Sequence, residues 1–392
     1  MYDFDKVIQR KGTDSLKWDE PDIGDNVLPM WVADMDFETA PEIKDAIIKR
    51  ASHGVFGYSI VPDRWNEAIA SWWKRRYSHT INKDHLIFCT GIVPAISSIV
   101  RKFTTPNENV VIMTPVCNIF FNSIKNNGAR VLESPLVYSD GRYEIDFKDL
   151  ESKLSDPQTS LMLLCNPQNP GGRIWSASEL QRIGDLCRKY DVTVVSDEIH
   201  CDLTDPGLTY TPFASVSETC RDISITCIAP TKTFNIAGIQ TAAVYADNRS
   251  LRHRVWRALN TDEVAEPNAF AMDATIAAYE HGEEWLEAVL RYLERNLDFA
   301  VNYVNNEIPY ARTARNEGTY LLWINLRDSR WSDEELERII VDRAKLWLDG
   351  GRMFGAAGHG FQRINFACPH LYLVQGLKRL REAIVDAAVV RN

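Results

Sequence analysis

Ser224-Ile225-Thr226-Cys227-Ile228-Ala229-Pro230-Thr231-Lys232-Thr233-Phe234-Asn235 is an apolar run that breaks at a proline and then presents one amine. The run reads as a buried strand, with Lys232 just past its end. Upstream, Val192-Thr193-Val194-Val195-Ser196-Asp197-Glu198-Ile199-His200 repeats the arrangement with a carboxylate in place of the amine. Leu86-Ile87-Phe88-Cys89, Val110-Val111-Ile112-Met113 and Leu161-Met162-Leu163-Leu164-Cys165 are runs of the same kind. Helical patterns separate them, over 65–77, over 178–190, and after Gly91, where Ile92, Ala95, Ile96, Ile99, Val100 and Phe103 recur at helical spacing. Continuous apolar strands alternating with helices predict an α/β fold, a mostly parallel central sheet with helices on both faces. Such sheets bind ligands beyond the carboxyl ends of their strands, so Lys232 and Asp197 are expected at one edge.

The chain of 392 residues is long enough for two or three domains with a sizeable core. Hydrophobic residues at 45% and charged residues at 25% exclude the disordered classes. A net charge of -10 without a basic block argues against a nucleic-acid partner, and Lys74-Arg75-Arg76 reads as a solvated helix face. The eight cysteines contain no C-x-x-C pair and suit reduced, buried thiols. No leader-like start and no apolar run of membrane length is visible, so the expectation is a cytoplasmic protein with no membrane partner. The histidines show no metal-ligand spacing, and no metal is expected.

Residues 1–45 lack a long periodic segment and read as an arm, with turns at Pro21 and Pro29 and an apolar face at Met30, Trp31 and Val32. The large domain is expected over 46–284. A helix over about 284–305, with Leu286, Val289, Leu290, Leu293 and Leu297 on one stripe, then leads into a smaller domain over 285–392. Tyr320-Leu321-Leu322-Trp323-Ile324 and Arg363-Ile364-Asn365-Phe366 are strand-like within it.

A lysine facing a carboxylate is the pair that pyridoxal phosphate chemistry requires: the amine holds the aldehyde covalently, and the carboxylate keeps the pyridine nitrogen protonated. Thr90-Gly91-Ile92-Val93 joins a strand to a helix, which makes either an ordinary junction or a phosphate site. Asn166-Pro167-Gln168-Asn169-Pro170-Gly171-Gly172 is a turn by composition, from which the Asn169 amide can reach a ring oxygen. Taken singly, Asp197 also reads as a helix cap, His200 as a packed histidine and Tyr58 as a packed aromatic. Arg363 reads either as one end of an ion pair or as a planar fork for an α-carboxylate.

Together these residues resemble the fold-type I pyridoxal phosphate enzymes, and among them the MalY/PatB family of C–S lyases. The pieces that carry the resemblance are Met30-Trp31-Val32-Ala33-Asp34-Met35-Asp36-Phe37, Gly91-Ile92-Val93-Pro94, 166–172, Ser196-Asp197-Glu198-Ile199-His200, Lys232-Thr233-Phe234-Asn235, Glu317-Gly318-Thr319-Tyr320-Leu321 and 361–369. The resemblance implies that Lys232 bonds the cofactor, Asp197 pairs with its ring nitrogen and Asn169 meets its ring oxygen. Gly91, Ile92, Val93, Thr231, Cys117 and His200 are expected by the same resemblance to complete the cofactor site. Arg363, with Ala33, Asn169 and Tyr320, is to hold the substrate. Tyr58 is implied to reach the phosphate of a neighbouring subunit, so a homodimer with shared active sites is expected. The implied reaction is cleavage of cystathionine or another L-cysteine S-conjugate to a thiol, pyruvate and ammonia.

Two positions depart from the pattern. Cys117 stands where the family usually stacks a tyrosine on the cofactor ring, and Ala229 where a serine hydroxyl is usual, with Thr231 and the Gly91 turn available to compensate. Ile236-Ala237-Gly238-Ile239-Gln240 also lacks the arginine that many related transaminases carry after the lysine. An aminotransferase of the same fold is the alternative. A regulator that only senses the cofactor fits worse, because no DNA-binding segment precedes the arm.

Overall fold

The computed structural model describes residues 2–24 and 26–391. Its central sheet has seven strands: β1 (Leu86–Cys89), β2 (Asn109–Thr114), β3 (Arg130–Pro135), β4 (Thr159–Cys165), β5 (Thr193–Asp197), β6 (Ser224–Ile228) and β7 (Ala242–Tyr245). Their spatial order is β1-β7-β6-β5-β4-β2-β3. β7 runs antiparallel to both neighbours, and the other pairings are parallel. The expected mostly parallel sheet is therefore present.

Both faces of the sheet are covered, which is why its strands read as continuous apolar runs rather than alternating ones. Val110, Ile112, Leu161, Leu163 and Val195 pack with the helices α1 (Ile92–Phe103) and α3 (Arg249–Thr261). Val111, Met113, Met162, Leu164 and Val194 face the other way, towards α2 (Ala177–Lys189). Side chains alternate along a strand, so each run supplies two layers of core at about 1.5–3 kcal/mol per fully buried Val, Leu or Ile. The strands β3 and β7 escaped the sequence reading. β3 is a half-exposed edge strand containing Arg130 and Glu133, and β7 is four residues long. The short helix Glu218–Ile223 leads directly into β6.

The long helix α4 (Glu283–Glu307) runs into a three-stranded antiparallel sheet of β8 (Leu321–Asn325), β9 (Asp349–Gly350) and β10 (Phe361–Asn365), in the order β8-β10-β9. The chain closes with α5 (His370–Arg391). The arm packs on this part of the molecule. Leu28–Pro29 pairs in parallel with Leu346–Trp347, and the Phe4 ring lies 5.1, 5.9 and 5.5 Å from those of Phe37, Trp285 and Tyr292. We propose domain borders near residues 45 and 284, with the arm counted with the smaller domain. One core cluster runs from the arm through α4 and α5 and joins these parts. The eight cysteines are free thiols, and seven of them are buried. Among the described residues no helix is long and apolar enough to cross a membrane.

Candidate active site

The parallel strands end on one edge of the sheet, where the register sets Cys165 beside Asp197 and Asp197 beside Cys227. The end of β5 and the segments after β4 and β6 therefore deliver Asp197, Asn169 and Lys232 to a common place. Asp197 is buried and accepts one hydrogen bond, from Ile199 N–H at 3.1 Å. Burial pushes its carboxyl up to about 6, against the pull of that N–H and of the Lys232 charge. Lys232 is partly buried and donates to the backbone carbonyl of Ala33. Burial lowers the pKa of its amine, with the nearby Asp34 charge opposing the shift. Its neighbours are pinned: Thr233 Oγ1 donates to the buried Asp202 at 2.9 Å, and Asn235 grips the arm.

His200 is buried with its Nδ1 unpaired among the described residues, and its ring meets Tyr320 edge-on at 6.0 Å. Burial, followed by the charges of Lys232 and Arg363, drops its pKa to about 3, so the ring is neutral at physiological pH. It contributes an uncharged polar group to the site.

The smaller domain supplies Arg363 from β10. Its Nη1 donates to Asn169 Oδ1 at 2.9 Å, which leaves the Asn169 amide nitrogen free to serve as a donor. Its Nη2 donates to the Trp31 carbonyl at 3.1 Å and to the carboxylate of Asp349 on the adjoining strand β9. The guanidinium carbon lies 4.9 Å from the centroid of the Phe354 ring.

The arm ties the two sides together. Asn235 accepts from Met35 N–H and donates to the carbonyls of Met35 and Phe37. Asn365 donates to the carbonyls of Val32 and Asp34. Between these clamps, the Ala33 carbonyl receives both Lys232 and, at 2.9 Å, the Tyr320 hydroxyl. Segment 32–37 is thus bound to the lysine side by one asparagine and to the arginine side by another.

At the start of α1 no side chain caps the helix after Gly91, in contrast to α2, where Ser176 and Glu179 form a capping box. The first turn of α1 therefore keeps its N–H groups for an anion, backed by the helix dipole. Cys117 precedes the helix Asn118–Lys125, and its N–H donates to the Asn169 carbonyl at 3.0 Å. Its thiol lies within electrostatic reach of Arg363, Asp197 and Lys232. Thr231 is buried just ahead of the lysine. Tyr58 is not brought to this cluster. It is fully exposed on a loop that also exposes Val55, Phe56 and Ile60.

The family model for aminotransferase class I and II matches residues 25–380. The chain belongs to that family. Within it, the chain is 41% identical to cystathionine beta-lyase PatB of Bacillus subtilis over 97% of this chain and 99% of that one. It is 33% identical to protein MalY of Escherichia coli over 98% and 99% of the two chains. Cystalysin of Treponema denticola, solved with pyridoxal 5'-phosphate, superposes with a TM-score of 0.95 at 35% identity and covers 99% of this chain and 100% of its own.

The cofactor of this family member is pyridoxal 5'-phosphate, and the residues present fit it. A buried carboxyl with no ion pair among the described residues matches a protonated ring nitrogen, the desolvated amine matches the aldehyde, and the uncapped helix start matches the phosphate. Sequence reasoning missed Asp349 and the clamping roles of Asn235 and Asn365. Asp349 does carry a signal, as the one acid directly after the apolar run Leu346-Trp347-Leu348. The asparagines carry none, because their partners are backbone atoms remote in sequence.

Proposed function

We propose that the protein is a carbon–sulfur β-lyase that cleaves L-cystathionine or related L-cysteine S-conjugates to a thiol, pyruvate and ammonia. The observation that carries this reading is the meeting of Lys232, Asp197, Asn169 and Arg363 at one sheet edge, in a chain alike from end to end to a named cystathionine beta-lyase. When bound, pyridoxal phosphate supplies an aldehyde that captures the substrate amine and a ring that withdraws electrons from Cα.

The chain's own residues do the rest. Arg363, aimed by Asn169, holds the α-carboxylate and so fixes which bond of Cα stands towards Lys232. The Lys232 amine, whose pKa burial lowers, takes the Cα proton. The Cβ–S bond then breaks with its electron pair on sulfur, and the ammonium of Lys232 is at hand to return a proton. Asp197 keeps a proton on the ring nitrogen throughout. The Ala33 carbonyl, which also accepts from the Tyr320 hydroxyl, holds the lysine when it is free.

A second copy of the chain completes the site in this proposal. The exposed apolar loop with Val55, Phe56, Tyr58 and Ile60 suits burial against a partner, where Tyr58 reaches the other subunit's phosphate.

Incubating the purified holoprotein with L-cystathionine is expected to give homocysteine, pyruvate and ammonia in equal amounts. Amino transfer to a keto acid, with neither pyruvate nor thiol released, overturns the lyase reading in favour of an aminotransferase. Borohydride reduction followed by peptide mapping is expected to label Lys232.

A further inference from the structure

Arg363 is the group on which carboxylate recognition rests in the function proposed above, yet most of its donors are already engaged. Nη1 gives one hydrogen to Asn169 Oδ1. Nη2 gives both of its hydrogens away, one to the Trp31 carbonyl at 3.1 Å and one to Asp349. Nε is buried and has no partner among the described residues. A guanidinium grips a carboxylate through two neighbouring N–H groups, either Nη1 with Nη2 or Nε with Nη2. Both forks pass through Nη2, so an incoming carboxylate must take an Nη2 hydrogen from Trp31 or from Asp349.

The chemistry of the two acceptors decides which one yields. Trp31 offers a neutral carbonyl from the arm, whereas Asp349 offers a charged oxygen, and a charge-assisted bond is roughly twice as strong as a neutral one. Asp349 is also 5% exposed and paired directly with Arg363 in the β9–β10 register, so it cannot turn away into water without breaking a strand pair. Phe354 backs the guanidinium at 4.9 Å.

We propose that Asp349 is a positioning residue for substrate recognition: it retains one Nη2 hydrogen of Arg363 and fixes the guanidinium plane, while the Trp31 carbonyl releases the other hydrogen to the substrate's α-carboxylate. The proposal rests on Arg363 being the carboxylate site, and it names a residue outside the cofactor and substrate sets given above. Asp349 touches neither substrate nor cofactor and acts through the arginine.

The test compares L-methionine with L-methioninamide, which differ only at the carboxylate, by titrating each into the holoenzyme and following the cofactor's visible absorbance. Asp349→Ala is expected to weaken methionine binding about tenfold or more and to leave methioninamide within about twofold. Asp349→Asn, which keeps an acceptor of the same shape, is expected to fall between wild type and alanine, and it remains a test if the alanine variant folds poorly. Equal weakening of both ligands, or of neither, overturns the proposal. Arg363→Ala run in parallel separates the two levels. If it leaves the acid-to-amide preference intact, Arg363 is not the carboxylate site; if it abolishes the preference and Asp349→Ala does not reduce it, the role of Asp349 alone is refuted.

Discussion

Asp36 in the arm and Asp197 at the end of β5 are both buried carboxylates, 3% and 9% exposed. Asp36 is surrounded by donors: Lys17 at 2.7 Å, Arg10 at 2.6 Å and Trp18 Nε1 at 2.9 Å. Burial alone raises its pKa, but the charge and hydrogen bond of Lys17, the Trp18 bond and the Arg10 charge more than reverse this, and the net shift is downward. Asp197 receives one backbone N–H, feels Lys232 only through space, and is shifted upward to about 6. A carboxylate whose demands are met inside the chain is a joint. One whose demands are half met, beside a desolvated amine, is a place prepared for a ligand that brings the missing cation.

The sharpest way to break this contrast is to remove the amine. Lys232→Ala is expected to cut thiol release from cystathionine by at least about 1,000-fold, with little change in urea unfolding of the cofactor-free protein. If stability collapses instead, Lys232 is a joint like Asp36 and the distinction fails.

Asp36→Ala should do the opposite, because it strands Lys17 and Arg10. Removing one member of a buried ion pair costs about 3–5 kcal/mol, read as a fall in the urea midpoint. A carboxyl with a depressed folded-state pKa contributes stability above its unfolded value near 3.8, and loses it as the pH falls through the folded value. The gap between wild type and Asp36→Ala should therefore narrow in acid.

Asp197→Asn sharpens the contrast by its sign. The unfolded acid ionises near 3.8 and the folded one near 6. Between those values the folded state holds a proton that the unfolded state has lost, so stability declines as the pH rises through that window. Two pH units correspond to about 3 kcal/mol. In the cofactor-free protein, Asp197→Asn is expected to be stabilising by up to about that much above pH 6 and neutral below pH 4. Denaturant melts at the two pH values check it, and a destabilised variant at pH 7 contradicts the reading of Asp197 as an unfilled partner. With cofactor bound the sign should reverse, since the amide cannot neutralise a ring cation.

Much of this was legible in the sequence because parallel strands buried on both faces leave long apolar runs, and each run ends where the chemistry begins. Lys232, Asp197 and Asn169 could be placed by that rule alone. The arm could not. Its turns and its apolar face at 30–32 show in the sequence, but the pairing of Asp36 with Lys17 and Arg10, and the gripping of the 32–37 backbone by Asn235 and Asn365, depend on groups brought together only by the fold. Asp349 follows the apolar run 346–348, a signal that marks it as an acid after a strand, but its pairing with Arg363 is a strand contact that only the fold makes.

Cys117 gives the smallest and most selective test. The position is fixed by its backbone, through the N–H bond to the Asn169 carbonyl, so replacing the side chain leaves that turn in place. The Cys117 thiol is within electrostatic reach of Asp197 and Lys232, and if it stands against the cofactor ring, that face would lack an aromatic partner. Cys117→Tyr restores that partner, and an offset aromatic pair contributes about 0.5–1.5 kcal/mol, which corresponds to roughly two- to tenfold tighter cofactor binding in an equilibrium titration. In that placement the larger ring should also take space from the substrate. The rate on bulky thioethers should fall relative to that on S-methyl-L-cysteine, whose leaving group is small. If cofactor affinity and the order of substrates both stay as in wild type, the side chain at 117 does not face the ring. Asp197, Asn169 and Lys232 would then hold the cofactor from its edges alone.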